Sequence, residues 1–289
     1  MNDIWVCSTC KSINRQRDDR CYRCAGRREQ AMAAQGPDVR VASAVAERAA
    51  RGYASSKPIA LVTAALILAV AGLGLVLMVL QLQAIPAMRQ AFLSAVSTGS
   101  SAPLDAYALE QLRLVVPSMV RSGLVVLAVL GFGLWLSRVV LNIPALGGGT
   151  PRWGPWKAFL YPIIPIVNLI KVPGMVQDAL YRLDPKAGGL FLVLAAWIGF
   201  FGSWLVGIVG GWMITGAAVD SVMRAGTVEG ALNAFGSMLD QASVLTLITE
   251  LMVATGAVLL VVIMLRIEGR AAARDREIRA AVLGTGRAA

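Results

Sequence analysis

The stretch IALVTAALILAVAGLGLVLMVLQL, residues 59–82, decides the fold, because it is apolar on every face and carries no charge. About 20 apolar residues cross a hydrocarbon core of about 30 Å as a helix, so this block is long enough to span a membrane. The uncharged stretch around it runs from 58 to 88. Three more blocks of this kind follow. The second opens at Pro117, a favoured first helical position, and runs to about residue 137. Arg121 lies one turn inside it, where it is expected to snorkel to the interface. The third covers 188–218 and the fourth 242–265. The composition of the whole 289-residue chain agrees: 57% of residues are hydrophobic and 15% charged, where soluble domains average about 45–50% and about 25%.

Between the second and third blocks lies 158–170, too short to cross and interrupted by Pro162 and Pro165. It reads as an interfacial or re-entrant segment. Charge distribution supports four crossings. Residues 1–57 hold 11 Lys/Arg, 138–187 hold 6 and 266–289 hold 6, against 3 in 83–121 and 1 in 220–241. The alternation places both termini in the cytoplasm, in what reads as a bacterial inner membrane. The net charge of +10 is therefore first an orientation signal. The first span is expected to act as an uncleaved signal anchor, since a polar cysteine cluster precedes it. The expected architecture is an all-α membrane protein of four spans with a Pro-broken elbow and a small N-terminal β zinc ribbon. Its parts are a head (1–29), an Ala/Arg-rich tether (30–57), a membrane domain (58–270) and a basic tail (271–289).

The head carries Trp5, Cys7, Cys10, Asn14, Cys21 and Cys24 in the pattern W-x-C-x2-C-x3-N-x6-C-x2-C. Two C-x-x-C knuckles supply four thiolates, which suit one closed tetrahedral Zn2+ site; iron in a rubredoxin-like site is the metal alternative. A domain of about 25 residues buries too little core to fold alone, so the metal is expected to supply its folding energy. At these positions the sequence resembles the Ran-binding-protein-type zinc finger, whose members bind single-stranded RNA or ubiquitin. Ubiquitin binders of that type carry Thr-Phe after the second cysteine, where this chain has Lys11-Ser12. The RNA readers carry an aromatic residue and two arginines; here Arg15 takes the aromatic position, Arg17 matches one arginine and Asp18 replaces the other. The base-stacking platform is therefore missing. Arg15, Arg17 and Arg20 belong to a basic face, open to a solvated role, to a protein or anionic-lipid partner, or to RNA phosphates.

Trp135, Arg138, Asn142, Leu146, Gly147, Pro165, Asn168, Pro173 and Asp178 form a second pattern, W-x2-R-x3-N-x3-L-G … P-x2-N … P … D. It resembles a bacterial four-span membrane domain of unknown function that often follows an N-terminal zinc ribbon. The resemblance covers about 58–270 and implies an architecture without an activity. Arg138, Asn142 and Asn168 are expected to clamp the elbow, covering carbonyls freed by the prolines. The other reading is a broken helix lining a substrate cavity. Trp135, Trp153 and Trp156 suit an aromatic belt. Pro173 is expected to start an amphipathic helix with Val176, Leu180 and Leu183 on one face and Asp178 and Arg182 elsewhere.

Ser203, Gly207, Gly211 and Thr215 make a small-residue stripe suited to close helix approach, within the chain or in a homo-oligomer. Gly210 and Gly211 also loosen the third span. Glu250 lies about 12 Å inside the fourth span at 1.5 Å per residue. There it is expected to be neutral, hydrogen-bonded near Thr246 and Thr249, or turned to a wet interior. The chain has no histidine, and Asp178 and Asp184 are spaced as a solvated helix face, so an enzyme is the weakest reading. The leading one is a membrane-anchored binding, adaptor or complex-subunit protein that presents a cytoplasmic zinc ribbon. The alternatives are a small transporter or channel component using Glu250 and the Pro-broken segment, and a membrane-tethered RNA-binding protein.

Overall fold

The computed structural model describes residues 4–6, 13–15, 19–20, 52–183 and 189–285. Two short strands, β1 (Ile4–Val6) and β2 (Ile13–Arg15), pair antiparallel with Trp5 opposite Asn14. Everything else of defined secondary structure is essentially helical. In chain order the helices are α1 (Lys57–Thr98), α2 (Ala102–Gln111), α3 (Val115–Asn142), α4 (Pro155–Leu160), α5 (Pro165–Leu183), α6 (Leu190–Trp197), α7 (Ser203–Arg224) and α8 (Val228–Thr285).

Four stretches are long and apolar enough to cross a membrane: Lys57–Thr98, Ala102–Asn142, Leu190–Arg224 and Val228–Ala280. Only 28–39% of each most apolar window is buried inside the chain, so the remaining apolar faces, Leu61, Val62, Val126 and Leu251 among them, need an apolar solvent. All four helices outrun the blocks read from hydropathy. With 42 and 58 residues, α1 and α8 reach about 63 and 87 Å at 1.5 Å per residue, two to three times the hydrocarbon thickness. Hydropathy marks only the part that meets lipid, whereas the helix continues while partners hold it. Beyond the apolar blocks α1 and α8 brace each other through stacked Phe92 and Phe235, 4.0 Å apart, and through Arg89 to Asp240 at 3.2 Å. Pro86 is accommodated inside α1, which stops at Gly99 in the left-handed conformation (φ 64°).

The second span does not open at Pro117. It follows α2 and a 3-10 turn (Leu112–Leu114), and Pro117 falls in the first turn of α3, where amides lack intrahelical partners anyway. Pro173 likewise starts nothing: α5 begins at Pro165 and carries Pro173 inside. The apolar face expected there is real, with Val176, Leu180 and Leu183 all buried. The third span is interrupted by a π-helical turn, Ile198–Gly202, rather than loosened at Gly210 and Gly211. At that turn Gly199 crosses Gly256 of α8. A methyl on Gly199 would lie 2.7 Å from the Gly256 Cα, so only glycine fits. The Ser203 hydroxyl donates to the Phe200 carbonyl (2.6 Å), satisfying a group that the widened turn releases.

The helices pack in the lateral order α3, α1, α8, then α6 with α7, around one core. On α1 the core face is a stripe of Ala60, Ala64, Ile67 and Ala71, small enough for α3 and α8 to approach closely. The elbow leaves and returns at the same end of the bundle. Arg182 near the end of α5 donates to the Gly148 carbonyl (3.2 Å), and the Arg152 amide donates to Asp178 (3.4 Å). Ser56 at the start of α1, Asn142 and Glu268 also lie at this end, called the near end below.

Candidate functional site

Two side chains and a glycine, from three spans, meet in the far half of the bundle. Arg121 of α3 and Glu250 of α8 form a fork-to-fork ion pair, Nη1 to Oε1 at 2.7 Å and Nη2 to Oε2 at 2.7 Å. Gly74 of α1 supplies the room. A methyl there would overlap the guanidinium and come within 2.6 Å of Glu250 Oε2. Arg121 therefore turns inward instead of snorkelling, because a carboxylate within the same apolar layer offers more than the interface does. Thr246 and Thr249 do not assist Glu250; their hydroxyls donate back to carbonyls of α8 itself. The pair is mostly buried, with side-chain exposures of 24% and 17%.

Below this pair lies a cavity of about 740 Å³, partly open at its side. Arg121, Val125 and Phe132 of α3 line one wall. The opposite wall comes from Phe200 and Phe201 of the π-helical turn and from Trp204 and Gly207 of α7. Ile67 and Ala71 of α1 with Val253 and Ala257 of α8 close the back. The floor is the elbow, at Pro162 and Asn168, beside Trp197. Asn168 caps the elbow as expected: its Nδ2 donates to the Pro162 carbonyl (2.9 Å). Its carbonyl and Oδ1 both lie 3.3 Å from the Trp197 indole N–H, which joins the elbow to the third span.

The near end holds a second buried acid that hydropathy does not reveal. Glu268, 7% exposed, accepts from Ser56 Oγ (2.7 Å) and from Trp135 Nε1 (2.8 Å) on the same oxygen, Oε1. Trp135 is fully buried here and is no part of an aromatic belt; Trp156, 68% exposed, keeps that option. Asn142 does not serve the elbow. Its Nδ2 donates to the Ala54 carbonyl (2.7 Å), tying the end of α3 to the segment that enters α1. Arg138, half-buried, makes no hydrogen bond or ion pair among the described residues, so the expected three-residue clamp reduces to Asn168 alone. Asp178 is not a solvated face residue either. It pairs with Arg182 at 2.9 Å, and both are nearly buried against the glycine-rich turn.

Of the small-residue stripe, Ser203 is buried, and a methyl on Gly207 would touch Thr249 of α8 at 3.6 Å. Gly211 faces open space. The stripe is thus half used inside the chain. In the head, Trp5, Asn14 and Arg15 lie on β1 and β2, and Arg20 is exposed. Cys7, Cys10, Cys21, Cys24 and Arg17 lie outside the described residues, as does Asp184.

Two signals could have located the main site from sequence. An acid and a base each isolated in a separate apolar block are expected to find one another. The glycine of Leu73-Gly74-Leu75 marks where a neighbour comes close. Comparison with known proteins adds an architecture and no chemistry. No curated protein and no solved structure matches this chain. Residues 99–269, which hold every described site residue of the second, third and fourth spans but not α1, match the profile of a family described as "Domain of unknown function (DUF4328)".

Proposed function

Since the chain belongs to the DUF4328 family, whose description names no activity, we propose a function from its own residues: a membrane-anchored binding protein that presents a cytoplasmic zinc ribbon. The four spans anchor it in a bacterial inner membrane with both termini inside, and the head docks a protein partner or a membrane complex. The observation that carries this reading is the near-end clamp. Asn142 holds the Ala54 carbonyl and Glu268 holds Ser56, which is 3% exposed, so the tether leaves the bundle at a fixed point. An anchor for a binding head needs such a point; an isolated membrane helix pair does not.

The donor set of the head fits zinc. Four thiolates in two C-x-x-C knuckles leave no open coordination position for catalysis, and β1 and β2 pair on either side of the first knuckle. Cys7, Cys10, Cys21 and Cys24 would hold the ion, whose contribution is folding energy. Trp5, Asn14, Arg15, Arg17 and Arg20 would meet the partner. Lys11 is the only lysine ahead of Lys57, so cross-links that an amine-reactive reagent forms at this side chain in the native complex report on the head. Elemental analysis is expected to find one zinc per chain. The Lys11 cross-links and co-purification of the partner should both disappear in Cys7→Ser/Cys21→Ser. Zinc-free protein, or a pull-down that ignores the double substitution, overturns the proposal.

The cavity favours a second reading, a small transporter or channel component, because it runs from Arg121 to the Pro-broken floor at Pro162. Both oxygens of Glu250 are committed to Arg121, so a coupled proton or cation would first have to displace the guanidinium. Unchanged flux in Glu250→Gln would end this reading.

A further inference from the structure

The second and third spans meet near the floor of the cavity, where the Phe132 ring of α3 lies 6.3 Å from the Trp197 ring of α6, and they diverge above it. α3 packs on α1 and α4, while α7 packs on α8, and the gap between α3 and α7 is the open side of the cavity. At this level the outward faces of the bundle are apolar: Val126 and Leu127 on α3 and Leu205 on α7 are all more than half exposed. In a bilayer the medium at the mouth of the cleft is therefore hydrocarbon. From Arg121 to Phe132 along α3, and from Thr249 to Leu260 along α8, the lining runs eleven residues, about 16 Å at 1.5 Å per residue. The cleft is thus a slot parallel to the helices and lined by aromatic and aliphatic side chains. Its interior residues Ala128, Phe132, Trp197, Ala257 and Leu260 are each 7% exposed or less.

One end of the slot differs chemically. Arg121 has five guanidinium N–H donors and gives two to Glu250, which leaves three for other acceptors. Since the pair is neutral as a whole, it suits acyl oxygens and does not require a free ion. The other end is closed, because Asn168 and Trp197 spend their polar atoms on each other and on Pro162.

We propose that the cleft between the second and third spans holds one acyl chain, entered sideways from the bilayer, with the carbonyl or carboxyl oxygens at the head of the chain accepting from Arg121. The π-helical turn belongs to this site, since it is what aims Phe200 and Phe201 into the slot. A phospholipid and a free fatty acid share this chemistry.

The test uses the full chain in phosphatidylcholine nanodiscs with two probes, phosphatidylcholine and a free fatty acid, each bearing a diazirine within the acyl chain. Photolysis is followed by peptide mapping. The expected result is cross-linking of Phe132, Ala257 and Leu260, residues that outer lipid does not reach. The stronger probe identifies the source of the chain. Unlabelled oleate or phospholipid should compete at these residues and not at Leu61 or Leu134. In Gly207→Phe, which fills the slot from α7, the interior cross-links should vanish while the outward ones persist. In Arg121→Gln/Glu250→Gln they should fall about tenfold, the loss of one hydrogen bond from a charged donor. Cross-links confined to outward-facing residues in the unsubstituted chain overturn the proposal, whatever the variants do. Interior cross-links that Gly207→Phe leaves intact overturn it too.

Discussion

Replacing either member of the Arg121–Glu250 pair should destabilise the bundle far more than replacing both. In Glu250→Leu the guanidinium stays beside Gly74 with no counter-charge; in Arg121→Leu the carboxylate is stranded. Breaking a buried pair from one side costs about 3–5 kcal/mol. With side-chain exposures of 24% and 17% neither group is locked in place, so a stranded Arg121 can swing toward the interface, and about 3 kcal/mol is the appropriate end of that range. Removing both charges as Arg121→Leu/Glu250→Leu leaves only apolar volume in an apolar layer, and such replacements of whole pairs are neutral or stabilising. The double variant should therefore lie within about 1 kcal/mol of the unsubstituted chain, with a coupling energy of at least about 2 kcal/mol. The assay is equilibrium unfolding in mixed micelles of rising sodium dodecyl sulfate fraction, followed by circular dichroism. High salt should change the coupling little, since screening acts weakly on charges this deep. Two single losses that simply add in the double variant would show that the side chains are not paired, and the three-span junction would be wrong.

Gly74→Ala should splay the same pair and lose about 1–3 kcal/mol, read in the same unfolding assay. Gly199→Ala meets backbone at Gly256 and has to push α8 away; a loss of about 3 kcal/mol is expected, and wild-type stability would refute the close crossing. Gly211→Ala, with nothing within 4 Å, should instead gain about 0.5–1 kcal/mol from helix propensity, and loss of a cross-linkable dimer in that variant would show that the stripe serves a second copy. Glu268→Ala strands the Ser56 hydroxyl and the Trp135 indole N–H, at about 1–3 kcal/mol for each; faster proteolysis of the tether at its junction with α1 is the accompanying readout.

Much of the membrane domain was legible because bilayer thickness imposes a length on apolar runs, and all four blocks recur in the helices. What hydropathy missed are features with no hydropathic signature. Helix ends depend on partners, so α1 and α8 continue past their blocks where Phe92 meets Phe235. The π-helical turn at Ile198–Gly202 is set by the Gly199–Gly256 crossing, a tertiary contact between spans that adjoin in sequence but cross at a depth sequence does not state. Arg121 and Glu250 each stand out in the sequence as isolated charges. Their pairing needed the helix order, because 129 positions separate them. The role of Asn168 is legible in sequence because its partner lies six residues away, whereas the partner of Asn142 lies 88 residues back. Glu268 gives no such signal, because the basic run from Arg266 to Arg279 makes it resemble an interfacial acid.

The proposed four-span anchor gathers the tether, the elbow and the start of the basic tail at its near end, on one face of the membrane. Maleimide labelling of intact cells tests it directly, with single cysteines at 55, 152 and 272 against 101 and 226 in a chain whose four native cysteines are serine. An impermeant reagent is expected to label 101 and 226 from outside, whereas 55, 152 and 272 react only after the membrane is permeabilised. Labelling of 152 and 272 from opposite sides would contradict it, because the elbow would then cross and the bundle would have five spans.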